Sequence, residues 1–185
     1  LFGNKGYGVF RYNETTNGLE PVSTHKYENM TLNNILAISK DSSNNYLFGT
    51  SYGLIKYTSE TSYQLFNAKN GFLNNTIHAI LRNSSDDFWL STNLGLINFD
   101  TKRNVFRSYG FGDGLKVVEF SDGAAFRDSQ TGTLFFGGSN GVVAIRADGR
   151  PEQLYMPPVY FDKLSIFGEQ YNLGEFLTRK KETEV

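Results

Sequence analysis

Four segments of this 185-residue chain can be laid over one another about a shared glycine: "LFGNKGYGVFRY", "LFGTSYGLIKY", "WLSTNLGLINF" and "FFGGSNGVVAI". The glycines are Gly8, Gly53, Gly95 and Gly141, spaced by 45, 42 and 46 residues. A period of about 40 to 50 residues with strand-like content predicts a β-propeller, in which each repeat supplies one four-stranded blade. A second series keeps step with the first, since Ile38, Ile80 and Phe126 each stand 15 residues before a repeat glycine.

The chemistry within one unit agrees with a blade. "ILAIS" (35–39) is an apolar run suited to an inner strand buried on both faces, "DSSNN" is a turn cluster, and "YLFGT" is a second strand. "SYG" then reverses the chain, with Gly53 supplying the positive φ that a tight hairpin requires, and "GLIKYT" and "YQLFNA" complete the unit. The next unit repeats the order with "TIHAILR", "DFWLST", "GLINFD" and "VFRSYG", and a third follows with "GAAFRD", "TLFFGG" and "GVVAIR". No segment has a convincing 3.6-residue period, so helix is expected to be sparse. Residues 1 to about 31 read as the later strands of a blade without its inner strand. The C-terminal blades of an incomplete propeller are thus assigned to 1–156. Two adjacent prolines cannot sit in a central ladder, so Pro157 and Pro158 mark the start of a second region, 157–185, as linker and first strands of another domain.

Composition removes several functional classes. Lys plus Arg number 18 against 19 Asp plus Glu, so no global field favours nucleic acid or an anionic membrane. No stretch approaches the roughly 18 apolar residues of a membrane span, and membrane attachment is expected only through parent-chain segments outside this sequence. There is no cysteine and only two histidines, His25 and His78, far apart in sequence, so neither a thiolate site nor a structural zinc site is expected. No cofactor motif is present: "FGDGL" lacks the Lys-Ser/Thr of a phosphate loop.

Individual candidates divide between architecture and surface. Trp89 shares its register with Leu47 and Phe135, and an interchangeable large apolar residue at one repeat position is expected to pack between blades. His78, without a neighbouring Asp, Cys or Ser motif, reads as a hydrogen-bonded core or channel-facing residue of an inner strand. A glycosidase needs two carboxylates across a sugar. Asp86, Asp87, Asp113, Asp122 and Asp128 instead read as turn residues beside Gly, Ser or Asn. The turns between second and third strands and the loops between blades share one face of a propeller. Lys5, Tyr7, Tyr52, Asn93 and Asn140 are expected there, with the loops 69–75 and 110–116; Tyr7, Tyr52, Asn70, Asn93, Asn140 and Lys116 are the candidate ligand contacts.

At "LNNILAISKDSSNNYLFGTSYGLIKY" and "LNNTIHAILRNSSDDFWLSTNLGLINFD" the chain resembles the two-component regulator propeller family. Its repeats run from a Leu-Asn-Asn-like entry through a Trp-Ile-Gly-Thr-like strand to a Gly-Leu start and a strand ending in Tyr or Phe plus Asp. The match is specific over about 32–100 and weaker in the flanks; the tryptophan occurs only at Trp89, replaced by Leu47 and Phe135 elsewhere, and the third unit reads Gly137-Gly138. The resemblance implies an all-β chain, a partial propeller followed by the beginning of an Ig-like sandwich of the triple-tyrosine kind. It also implies the periplasmic sensor region of an inner-membrane, often hybrid, histidine kinase of Bacteroidetes type that detects oligosaccharides from polysaccharide breakdown. On that reading this segment is not itself an enzyme. Its partners would be an oligosaccharide, the remaining blades of the parent chain or another copy, and a homodimer mate in the full receptor. A propeller-fold polysaccharide lyase or hydrolase and an interaction scaffold are the alternatives.

Overall fold

The computed structural model describes residues 1–22, 34–59 and 62–146, together with two short strands nearer the C-terminus. The chain forms two compact units, Leu1–Gln153 and Leu154–Val185. In the first, β1 (Phe2–Asn4), β2 (Gly8–Asn13) and β3 (Gly18–Pro21) make a three-stranded antiparallel sheet. The strands β4 (Ile35–Lys40), β5 (Tyr46–Thr50), β6 (Gly53–Ser59) and β7 (Ser62–Phe66) make a four-stranded meander. A second meander follows as β8 (Ala79–Arg82), β9 (Asp87–Thr92), β10 (Gly95–Asp100) and β11 (Val105–Tyr109). The last sheet has β12 (Phe120–Arg127), β13 (Leu134–Gly138) and β14 (Gly141–Ile145). Short 3-10 turns at Ala68–Asn70 and Phe111–Asp113 are the helical elements among the described residues. In the second unit β15 (Leu164–Ile166) pairs antiparallel with β16 (Glu169–Tyr171). Pro157 and Pro158 lie outside the described residues. The first unit is the partial propeller expected from the repeat: successive antiparallel blades packed face to face, with β4, β8 and β12 converging at their inner edges.

Each hairpin between second and third strands of the two meanders is closed in the same way. Thr50 Oγ1 donates to Gly53 O at 2.8 Å and accepts from Tyr52 N at 3.0 Å; Thr92 Oγ1 repeats both bonds with Gly95 O and Leu94 N. The two hydroxyls are buried, so each satisfies polar backbone that the turn would otherwise leave unpaired. Gly53 and Gly95 have φ of 141° and 124°. A second reason for glycine is tertiary: an added Cβ would lie 2.3 Å from Phe66 O at Gly53 and 2.0 Å from Tyr109 O at Gly95. The loop leaving the fourth strand crosses directly over the hairpin.

Among the described residues the core is three clusters, one between each pair of neighbouring sheets of the first unit. Val9 and Val22 meet Ile35, Phe48 and Ile55; Leu47 and Leu54 meet Ile77, Ile80, Phe88, Leu90, Ile97 and Phe99; Ala79, Trp89, Leu96 and Tyr109 meet Phe120, Leu134, Phe136 and Ile145. Strand alternation explains the partition: Leu47 and Trp89 face the following sheet, whereas Phe48 and Leu90, one residue on, face the preceding one. Trp89 packs on Tyr109 with ring centroids 5.2 Å apart, as an inter-blade residue should. Away from the hairpins the sheets are stitched by polar contacts. Ser42 Oγ donates to Asp86 Oδ1 at 2.6 Å and Lys56 Nζ to Thr101 O at 2.5 Å.

Two expectations are corrected. The inner strand β4 is only half-buried beyond Ile35, because it lines the axis and its inner edge has no partner strand among the described residues; β5, β6, β9 and β10 are buried more deeply. The second repeat series also breaks in the last unit. Ile38 and Ile80 pair with Phe48 and Leu90, but the residue paired with the equivalent Phe136 is Ala125, and Phe126 pairs with Phe135 instead. The β12–β13 connection is one residue longer than its predecessor. Phe126 therefore points away from the core and is 64% exposed.

Candidate functional site

The inner strands carry an irregularity at one shared position. In β4 the pairing steps from Ile35↔Thr50 to Ala37↔Gly49, which leaves Leu36 as a one-residue bulge. His78 occupies the matching place immediately before β8, its N–H donating to Ser91 O at 2.8 Å. In β12 the bulge is larger: pairing steps from Phe120↔Gly138 to Ala125↔Phe136, so three extra residues are accommodated. Asp122 and Gly123 lie in that excursion, and Gly123 N donates to His78 O at 3.2 Å. Bulges of this kind re-aim side chains out of the ladder.

The result is a polar chain across the inner edges of three sheets. His78 Nδ1 lies 2.5 Å from Asp122 Oδ1, and His78 Nε2 lies 2.6 Å from Asn93 Oδ1 in the β9–β10 turn. Asp122 Oδ2 accepts from Lys5 Nζ, which comes from the β1–β2 turn of the first sheet. The Lys5 hydrogen bond, followed by that of His78, holds the Asp122 carboxyl below the ordinary carboxylate range. The Asp122 and Lys5 side chains are substantially exposed, whereas His78 is nearly buried at 11%. Here the placement of Asp122 in an ordinary Gly-Ser turn is overturned. His78 is the hydrogen-bonded, nearly buried residue expected, but its acidic partner is 44 residues away in sequence, where no local motif shows it. The signal that could have found it is the 46-residue spacing between Gly95 and Gly141, longer than the 42 before it.

The other sequence candidates sort by what their side chains already do. Tyr7 projects from the β1–β2 turn with 76% exposure, and Tyr52 is exposed in the β5–β6 turn. Asn70 caps its own turn, its Oδ1 accepting from Asn67 N at 3.0 Å. Asp113 does the same in the following blade, accepting from Gly110 N at 2.9 Å. Asn140 Nδ2 donates to Lys116 O at 3.2 Å, so these two candidates meet through the backbone of Lys116. Gly8, Gly53, Gly95 and Gly141 all have positive φ at their hairpins. Of the six ligand-contact candidates, Asn93 belongs to the axial chain. Lys5, also expected on that face, belongs to it too; what sequence reasoning missed is that Lys5 and His78 both pair with Asp122. Leu73 and Phe111, from the two loops expected on that face, and Leu94 are exposed near Gly110.

No family model matches this chain, and no curated protein sequence matches it. Solved structures do. The extracellular domain of the hybrid two-component system BT3049 from B. thetaiotaomicron superposes with a TM-score of 0.67 at 28% identity, over 79% of this chain and 20% of that one. The extracellular domain of the hybrid two-component system BT4673 from the same organism matches at 0.51 and 17% identity, over 93% of this chain and 21% of that one. This chain thus spans about a fifth of the length of either protein. In fold it is similar to the extracellular domains of hybrid two-component systems, the group to which its sequence resemblance points.

Proposed function

We propose that this chain is a piece of an extracytoplasmic, periplasmic sensor module of a two-component histidine kinase. The face that carries the strand-joining turns would meet an oligosaccharide. The observation that carries the sensor reading is the match to the BT3049 extracellular domain over 79% of the chain at 28% identity. A lyase or hydrolase is less well supported: Asp41, Asp100, Asp113 and Asp128 accept hydrogen bonds from nearby turn amides, which is local backbone chemistry. The turn face suits a sugar because exposed Tyr7 and Tyr52 offer aromatic surface, while Asn93, Lys5 and Asp122 offer donors and acceptors at the axis. Calorimetry of the complete ectodomain against neutral and uronic oligosaccharides tests this. Binding by one of the panel is expected, weakened about tenfold, or roughly 1.4 kcal/mol, by Tyr7→Ala or Tyr52→Ala. A binder that ignores both substitutions would move the site off this face.

The same reading supplies the partners. Phe2 is 57% exposed at the register position where Phe48 is 4% and Leu90 and Phe136 are 0% exposed. At the opposite end Val142 is 66% exposed where Leu54 is 0% and Leu96 1%. The two outer sheets therefore present the apolar positions that inner sheets bury against a neighbouring blade. Further blades of a parent chain, or a second copy, would cover them. By sedimentation the isolated chain is expected to self-associate, and Phe126→Ser with Val142→Ser to reduce that association. A monomer at every concentration would contradict this. The start of an Ig-like sandwich after the propeller and a homodimeric full receptor belong to the same proposal, the β15–β16 hairpin being compatible with the former.

A further inference from the structure

We propose that His78 makes the axial cluster a proton-responsive latch, closed across three sheets when the imidazole is doubly protonated and loosened when it is neutral. The ring stands between two oxygens, Asp122 Oδ1 at Nδ1 and Asn93 Oδ1 at Nε2, both within hydrogen-bond distance. A neutral imidazole has one N–H and can serve only one of them, whereas the imidazolium serves both. Which contact yields is decided by the partners. A carboxylate only accepts, so the remaining proton stays on Nδ1 toward Asp122, and Asn93 must turn its amide to present nitrogen or leave the ring. Water is a poor substitute at a side chain only 11% exposed.

Among the described residues, the groups that face this ring are few. Asp122 comes from β12, with Lys5 of the β1–β2 turn behind it; the β9–β10 turn brings the neutral Asn93, and β4 has Leu36 at the matching bulge. The basic residue of β4, Lys40, stands at that strand's other end over the Tyr46 ring. When a proton from solvent binds Nε2, the new N–H donates to Asn93 and the added charge sits beside the Asp122 carboxylate. Asp122 then bridges two cations, Lys5 of the first sheet and His78 of the third. Loss of that proton leaves the Lys5 contact in place and makes Asn93 either turn its amide or release the β9–β10 turn from the ring. The latch therefore couples pH to the conformation of the turn face, whether or not that face binds a saccharide.

Nitrogen-15 NMR of the ring nitrogens, on the whole chain, tests the proposal. His25→Gln assigns the His78 signals, since the chain has two histidines. As His78 titrates, the Asn93 side-chain amide and the backbone amides of Lys5–Tyr7 are expected to move with the same midpoint. His78→Gln should abolish both movements. Asp122→Asn should uncouple the Lys5 turn while Asn93 still follows the ring. If His78→Gln fails to fold, Asn93→Ala provides the second reading, in which the Lys5 turn still tracks His78. The latch is overturned if His78 titrates while Asn93 and the Lys5 turn stay still, or if their movements persist without the imidazole.

Discussion

Replacing Gly95 with alanine is expected to cost about 2–5 kcal/mol, because a methyl group there meets two penalties at once. The backbone sits at φ 124°, where an L side chain is strained, and the new Cβ would be 2.0 Å from Tyr109 O and 3.1 Å from Gly110 Cα. Neither neighbour is a flexible side-chain end that can swing away. Gly114 is the informative comparison: its φ is 90°, but nothing lies within 4 Å of an added Cβ, so alanine there should cost only about 1–2 kcal/mol. Urea unfolding of the two variants measures the difference. Equal losses would mean that dihedral strain alone selects glycine at the repeat position, and that the crossing loop at Tyr109 and Gly110 yields easily.

Phe136→Ala and Phe2→Ala remove the same side chain from the same register position, yet their expected effects differ widely. Phe136 is fully buried among Trp89, Leu96, Phe120 and Leu134, and it meets Phe120 edge-on with ring centroids 6.3 Å apart. Truncating it leaves a cavity lined by residues from two sheets that cannot close together, for a loss of about 3–5 kcal/mol. Phe2 is more than half exposed, so its truncation in the monomer should change stability by no more than about 0.5 kcal/mol. Denaturant midpoints at low protein concentration test the pair. A large loss at Phe2 under those conditions would show that the outer face is already covered, by association, in the folded species.

The blade was legible in the sequence because its determinants are local. Alternating apolar residues, turn clusters and a hairpin glycine recur at near-constant spacing, and each needs only its own few neighbours to act. Trp89 could be read as an inter-blade residue because Leu47 and Phe135 stand in for it. The axial cluster was not legible in that way. Asp122 is followed by Gly123 and preceded by Ser121, which is turn chemistry on its face, and only the ladder shows that these residues bulge out of an inner strand. The extra length was visible as a 46-residue spacing, but a count of residues does not say whether they lengthen a loop or distort a strand.

The misplacement of Phe126 has the same origin. A 15-residue interval was kept by number, while one additional residue in the β12–β13 connection moved the structural equivalence to Ala125. Since side chains alternate along a strand, a one-residue change of register exchanges the buried face for the exposed one.

By itself the sequence determined the repeat, the strand order within each blade, the hairpin glycines and the faces that must be apolar, since all of these follow from short-range sterics and period-two patterning. Tertiary structure alone decided which residues meet. Lys5, His78, Asn93 and Asp122 belong to three different sheets and come together only because those sheets converge at their inner edges, where a bulge in β12 carries a carboxylate toward the imidazole. Contacts between residues 44 and 117 positions apart depend on how whole blades stack, and no local pattern encodes that distance.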